Sequence, residues 1–211
     1  MKVGIILFHK NIHDLYPKAW IDKCLSSISN QTFKDFQIYE INYGSDNVRL
    51  VEDSIFYSIE KVNYADAMNF IITEAFNDGC DYVFNTNLDD FYHPEKLEKQ
   101  IRCLDQGCDV VSSDFCYVDE NDNIKLYMNI VKYGSVFENL NRGHNVIAHP
   151  AVGMSRNFWM DNQNRYDINK TPEEDKDLWT RSINRGYKFY IIDEVLLYYR
   201  IHNNQVSNKN S

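Results

Sequence analysis

Basic residues are scarce in this chain: 22 Lys and Arg stand against 31 Asp and Glu, a formal net charge of −9. A nucleic-acid groove or a polybasic membrane anchor needs clustered Lys and Arg, so both are excluded as expectations. A phosphate-bearing ligand would have to be held locally, by a metal or by backbone. Glycine is scarce too, with eight in 211 residues, and the loop after the first apolar run, His9-Lys10-Asn11-Ile12-His13, contains none. That argues against the Gly-rich, basic phosphate loop that a nucleotidyltransferase would carry there. The five cysteines (Cys24, Cys80, Cys103, Cys108, Cys116) are odd in number and form no CxxC pair. Reduced, structural thiols in a cytosol-like compartment fit this better than a disulfide framework or a zinc site. No apolar run is long enough to cross a bilayer, and the one at Met1–Phe8 is too short for a signal peptide. The expectation is a soluble, cytoplasmic protein.

Forty-four per cent hydrophobic residues support a real core, and no linker, repeat or low-complexity insert divides the chain. Val3–Phe8 reads as a buried strand and Lys18–Gln31 as a helix with Trp20, Ile21, Cys24, Leu25 and Ile28 on one face. Phe36–Ile41 alternates like a strand, and Ser54–Val62 reads as another. A helix is expected over Tyr64–Asn77, closed by Gly79, and one from Pro94 to Gly107. Asp109–Ser113 and Phe115–Val118 read as strand, with a hairpin turn at Asp119–Asn123 before a strand over Ile124–Met128. Tyr133–His149 is the least periodic stretch and reads as loop with short helical turns, and Ala151–Ser155 as a returning strand. Thr171-Pro172-Glu173-Glu174 has the form of a capping box with Pro at the first helical position. Two aromatic-rich strands, Tyr187–Ile192 and Val195–Ile201, close the chain before a polar tail. The α/β alternation predicts one domain over 1–211, with a mostly parallel central sheet, helices on both faces and a small antiparallel addition.

Tyr82–Asp90 is the centre of this order, because an apolar strand runs straight into adjacent carboxylates. Ligands gather at the carboxyl ends of strands in open α/β sheets, which puts Asn87, Asp89 and Asp90 at a candidate site for a hard cation such as Mg²⁺ or Mn²⁺. On these residues alone the acids serve equally well as caps for the helix that follows.

Four segments then resemble glycosyltransferase family 2, the inverting nucleotide-sugar transferases of the GT-A, Rossmann-like fold. Cys24-Leu25-Ser26-Ser27-Ile28 with Gln31-Thr32-Phe33-Lys34-Asp35-Phe36 is similar to the family's first helix and turn, and Asn87-Leu88-Asp89-Asp90 with Pro94 and Leu97 to its D-x-D-D segment. Glu174-Asp175-Lys176-Asp177-Leu178-Trp179 is similar to its E-D-x-D-L-W helix, and Tyr199-Arg200-Ile201-His202, with Val206-Ser207 behind, to its Y-R-x-H segment. The resemblance implies a UDP-sugar donor, a glycan or glycoconjugate acceptor, and Mn²⁺ or Mg²⁺ as cofactor. It implies a nucleotide-binding half over about 1–92 and an acceptor and catalytic half over about 93–211. Asp89 and His202 would be metal ligands and Asp175 the general base, with Glu174 capping its helix. Phe8, His9, Asn42, Asn69, Asn87, Leu88, Asp90 and Arg200 fall on the donor side, where Arg200 pairs with phosphate or with a carboxylate. His149, Glu174 and Trp179 fall on the acceptor side, where Trp179 either stacks on a sugar or belongs to the core. Tyr43 either stacks on the base or covers apolar surface.

The chain departs from the family pattern at three places. Asn42-Tyr43-Gly44-Ser45 replaces an acidic pair before Gly-Ser, Asn87 replaces the first acid of D-x-D, and Met68 replaces the arginine of Ala-Arg-Asn. These departures keep a second reading open, a nucleotide-sugar-binding module without catalysis, or one domain of a larger multi-transferase protein.

Overall fold

The computed structural model describes residues 1–203. In chain order its elements are β1 (Val3–His9), α1 (Ile12–Leu15), α2 (Lys18–Ser29), β2 (Phe36–Asn42), β3 (Ile55–Ser58), α3 (Tyr64–Asn77), β4 (Tyr82–Asn85), β5 (Phe91–Tyr92) and α4 (Lys96–Asp105). There follow β6 (Val110–Val118), β7 (Ile124–Met128), α5 (Val136–Asn141), β8 (Gly153–Ser155), α6 (Arg156–Met160), α7 (Glu174–Asn184) and β9 (Phe189–Arg200). One sheet unites the strands in the order β3-β2-β1-β4-β8-β6-β9-β5, with β7 paired to β6. β1 pairs parallel with β2 and β4, β2 with β3, and β6 with β9, whereas β8 runs antiparallel to both β4 and β6. Strands β1, β2, β3, β4, β6 and β9 therefore all run one way. The short β5, β7 and β8 form the expected antiparallel addition.

Strand alternation divides the core into two layers. Ile6, Tyr39, Ile41 and Val83 face α3, α6 and α7, packing against Ile71, Phe76, Phe158, Trp159 and Trp179. Val3, Ile5, Leu7 and Phe84 face α2 and α4, packing against Ile21, Cys24, Ile28, Leu97 and Ile101. Asn63 caps α3, its side chain accepting from Asp66 N at 3.1 Å.

Several boundaries differ from the sequence reading. The two strands expected on either side of Asp114 are the single strand β6, and the two expected after Tyr187 are the single strand β9. Their mutual register jumps from Ser113↔Ile192 to Asp114↔Val195, so Asp193 and Glu194 bulge out of the ladder without ending the strand. Each bulged acid has a partner: Asn129 Nδ2 donates to Asp193 at 2.9 Å and Lys99 Nζ to Glu194 at 2.5 Å. The stretch before His149 is loop with one short helix, α5, capped by Ser135, as its reading implied. The capping box at Thr171–Glu174 is not formed as read. Helix α7 begins only at Glu174, its N-cap Glu173 makes no side-chain cap, and Thr171 and Pro172 instead line a cleft.

Gly153 explains how β8 fits between β4 and β6. A Cβ there would lie 2.5 Å from Phe84 Cε1, 2.7 Å from its Cδ1 and 3.2 Å from Val111 Cγ1. Both neighbours are fully buried and held by strand backbone, so neither has room to retreat. Gly153→Ala is expected to lower unfolding free energy by about 1–3 kcal/mol through overpacking, measured by urea denaturation. The control Gly107→Ala meets nothing within 4 Å and tests only the cost of its positive φ of 90°.

Candidate active site

The carboxyl ends of β1, β2, β4 and β9 meet along one edge of the sheet, and a cleft of about 250 Å³ opens there. Phe8 and His9 come from the end of β1, Tyr43 follows β2, Asn87, Leu88 and Asp89 follow β4, and Tyr199 comes from the end of β9. Glu174 and Asp175 enter from the start of α7, with His149, Thr171 and Pro172 beside them. Sequence reasoning missed Tyr16, Tyr64, Thr171, Pro172 and Tyr199 as part of this wall. No periodicity marks them, since each stands in a loop or at an element's end.

Asp89 is the focus of the acidic segment. Its Oδ2 lies 2.9 Å from His202 Nε2, and both side chains are buried. The His202 ring sits between Trp20, at 5.0 Å, and Tyr16, edge-on at 5.5 Å. The two residues that the Y-R-x-H and D-x-D-D resemblances single out are thus direct neighbours; Val206 and Ser207 lie outside the described residues. Asn87 lines the same cleft, and its Oδ1 is buried with no hydrogen-bond partner among the described residues.

Asp90 and Arg200 are engaged by protein partners. Asp90 is buried, and its Oδ1 accepts from Arg200 N at 2.8 Å. Burial first, and then the charge of Asp89, push its carboxyl well above the usual range, while Arg200 opposes the shift. The Arg200 guanidinium is also buried, with Nε donating to Asp89 O at 2.8 Å and Nη1 to Asp119 O at 3.0 Å, and Nη1 lying 2.6 Å from Asp122 Oδ1. Of its two sequence readings the carboxylate partner is the one observed, because the hairpin after β6 reaches the guanidinium.

Asn42 and Asn69 likewise have protein partners. Asn42 is fully buried: Nδ2 donates to Asp46 Oδ1 at 2.6 Å and Val48 O at 3.0 Å, and Oδ1 accepts from Gly44 N at 3.0 Å. Its side chain holds its own loop closed. Gly44 completes this turn, where a Cβ would stand 2.7 Å from Asn11 Oδ1. Asn69 pins the chain at Tyr166, donating to its O at 2.8 Å and accepting from its N at 3.0 Å. Trp179 is a core residue, packed against Phe158, Tyr166 and Phe189 and absent from the cleft wall, so the acceptor reading fails for it.

On the acceptor side, His149 lines the cleft inside a buried polar group. Tyr64 Oη lies 2.9 Å from its Nδ1, and Tyr166 Oη and Asn85 Nδ2 lie 2.9 and 3.0 Å from its Nε2. Burial pushes its pKa down to about 3, so the imidazole is neutral at physiological pH. Asp175 is fixed by two donors, Lys176 N at 2.6 Å to Oδ1 and Asn145 Nδ2 at 3.0 Å to Oδ2. Burial nevertheless raises its carboxyl above the ordinary value, and does the same for Glu174. The division in which Glu174 caps while Asp175 faces the cleft is corrected: both line it, because α7 starts at Glu174 itself.

Residues 5–189 match the family model of Glycosyl transferase family 2. The chain is 27% identical over 205 residues to the uncharacterized glycosyltransferase MJ1057 of Methanocaldococcus jannaschii, an alignment covering 89% of this chain and 68% of that protein. It is 25% identical over 199 residues to the O-antigen biosynthesis glycosyltransferase WbnJ of Escherichia coli, covering 87% and 75%. Among solved structures, S. aureus TarS 1-349 in complex with UDP-GlcNAc superposes with a TM-score of 0.74 over 100% of this chain, at 13% identity. The same TarS fragment in complex with UDP gives 0.69 over 95%. At such identities the likeness is one of fold, the expected GT-A arrangement, and the chain spans only 61–62% of those TarS chains. With the family model matched over most of its length, the chain belongs to glycosyl transferase family 2, a family of sugar-transferring enzymes.

Proposed function

We propose that this chain is an inverting transferase that moves a sugar from a nucleoside-diphosphate sugar, a UDP-sugar first, to a hydroxyl of a glycan or glycoconjugate. The observation that carries the reading is the placement of Asp89, paired with His202, and Asp175 on one cleft, although the three come from the ends of different elements. The first half of the chain, about 1–92, would hold the nucleotide, and the second the acceptor and the base.

A divalent cation fits the donor side. Asp89 offers a carboxylate, His202 an imidazole and Asn87 an unpaired amide oxygen, a mixed oxygen and nitrogen set that suits Mn²⁺ and, less closely, Mg²⁺. Among the described residues no cluster of three or more His, Cys, Asp or Glu forms a closed metal cage. Substrate phosphates would complete the coordination of a cation held by Asp89 and His202. When bound, the cation would neutralise the charge that grows on the departing diphosphate.

Asp175 is the base in this reading. Inversion in a single displacement needs a group that takes the proton of the incoming hydroxyl on the face away from the leaving diphosphate. The hydrogen bonds from Lys176 N and Asn145 hold the Asp175 carboxylate in place, and burial raises its basicity. Neutral His149 and the hydroxyl of Tyr64 border the same region and supply uncharged polar contacts for sugar hydroxyls. One observation favours the module without catalysis: Asn42 and Asn69, two expected donor contacts, are used to fix loops. Slow hydrolysis of a UDP-sugar by the wild type, absent in Asp175→Asn, would exclude that module.

Asp89→Ala is expected to abolish the Mn²⁺-dependent part of the thermal shift that UDP gives the wild type, since only a ligand bound to the folded state raises its stability. An unchanged Mn²⁺-dependent shift would remove Asp89 from the metal site. Asp175→Asn is expected to lower kcat by about 10²–10⁴ with UDP affinity unchanged, the usual worth of a positioned base. The protonated carboxyl cannot accept a proton, so kcat/KM of the wild type should fall as pH falls. Because burial raises this pKa, the midpoint should lie above the ordinary aspartate value of 3.8. A rate flat down to the ordinary value would exclude Asp175 as the base.

A further inference from the structure

We propose that Cys103 and Cys108 are a redox modification site, a dithiol at the end of α4 that a small-molecule disulfide such as oxidised glutathione converts to an intramolecular disulfide. The inference is independent of the nucleotide-sugar reading.

Five residues apart on a straight helix, two side chains point about 140° away from each other and do not meet. Here the chain turns back first. Helix α4 ends at Asp105, and Gly107 takes a positive φ of 90°. Gly107 N donates to Leu104 O at 2.9 Å and Cys108 N to Cys103 O at 3.3 Å. This nested pair of bonds is the Schellman ending, in which the two outer residues bring their side chains against each other. Both outer residues are cysteine. A carbonyl O lies about 2.4 Å from its own Cα and an amide N about 1.5 Å from its own, so the 3.3 Å bond confines the two Cα atoms to within about 7 Å. That is the upper limit of what a disulfide bridges, and any bend in the bond shortens the span.

The other three cysteines are placed differently. Cys24, Cys80 and Cys116 are fully buried, and the first two donate to Asn87 O at 3.3 Å and Tyr39 Oη at 3.4 Å. Cys103 and Cys108 are partly exposed free thiols, and a Cβ built on Gly107 between them meets nothing within 4 Å. The turn is therefore open to a reagent from solvent. Burial pushes both thiols up, and at Cys103 the charge of a Cys108 thiolate adds to the rise, as it does only between close neighbours. Exchange at the pair is accordingly slow at neutral pH and quickens as pH rises through the thiol range.

In the first step one cysteine, as thiolate, attacks a sulfur of glutathione disulfide. A protein–glutathione S–S bond forms, the glutathione S–S bond breaks, and one glutathione leaves as a thiolate that takes up a proton. The second cysteine, ionised in turn, attacks the protein sulfur of this mixed disulfide and expels the other glutathione. Two protein thiols are oxidised, glutathione disulfide is reduced to two thiols, and the protons lost by the cysteines end on those. The product ties the last turn of α4 to the residue before Asp109, whose O accepts from Ser155 N at 2.9 Å and whose Oδ2 accepts from Lys188 N at 2.8 Å. Oxidation thus staples the helix end to the junction of β6, β8 and β9.

The test incubates the folded full chain with oxidised glutathione at about pH 8.5, near the ordinary thiol pKa. The protein is then unfolded in the presence of N-ethylmaleimide, and intact and peptide masses are read. The wild type should lose two of its five alkylatable thiols and the mass of two hydrogens, and keep no glutathione. Cleavage before Asp105 and Asp109 should leave the Cys103 and Cys108 peptides joined until dithiothreitol parts them. Cys103→Ser and Cys108→Ser should each stop at one retained glutathione on the other cysteine, since the mixed disulfide has no second thiol to resolve it. If the two cysteines only pack together, the wild type accumulates retained glutathione as the single variants do, and the inference is overturned. A wild type whose five thiols all stay alkylatable overturns it too, as does a bond that maps to another pair. Should a serine variant not unfold cooperatively in urea, the wild-type peptide map decides alone.

Discussion

The buried guanidinium of Arg200 is the constraint on which the site depends. It closes β9 against the loop after β4 through Asp89 O, beside the bond from the backbone N of Arg200 to Asp90, and against the hairpin after β6 through Asp119 O and Asp122. Its plane also lies 4.7 Å from the Trp20 ring, which in turn packs on His202. A buried cation with these partners repays its desolvation only if every partner stays in place, so the acidic loop, the hairpin and the strand end are fixed together. The position of the Asp89 carboxylate beside His202 follows from that closure.

Around this fixed point the cleft carries acids in an acidic protein. Burial raises the carboxyls of Asp90, Glu174 and Asp175, and the fold answers each in a different way. Asp90 is tied to Arg200 N, and Asp175 is held by donors while still lining the cleft. Glu174 Oε2 is buried without a partner among the described residues, on a wall where sugar hydroxyls would arrive. Such a site attracts cations and neutral hydroxyl donors and repels free anions.

Much of this was legible in the residues themselves. The helical spacing of Ile71, Ile72, Ala75 and Phe76, and the apolar runs of β1 and β4, gave the layers because burial on one face or both is written directly in periodicity. The place of Asp89 on the cleft wall was legible because ligands gather at the carboxyl ends of strands in α/β sheets, although the residues alone read equally well as helix caps. The capping box was misread because Thr171 and Pro172 satisfy the local pattern yet are drawn to the cleft wall. The directions of Arg200, Asn42, Asn69 and Trp179 were not legible for one common reason: a motif marks a position and not the direction in which its side chain points. Glu40 is a lone acid between Tyr39 and Ile41 in a strand whose neighbours are buried, and its carboxylate accepts from Leu50 N, Val51 N and Ser54 Oγ.

By itself the sequence determined the α/β alternation, the mostly parallel sheet and the edge on which chemistry would gather, since these depend on local period and on the right-handed connection of parallel strands. Only the tertiary structure decided which polar groups are left over for a ligand. Hydrogen bonds between residues far apart in the chain, such as His9 with Glu40, Asn69 with Tyr166 and Arg200 with Asp89, use up some side chains and leave others facing the cleft. That selection is a property of three-dimensional packing, in which each buried donor must find an acceptor, and no linear pattern encodes it.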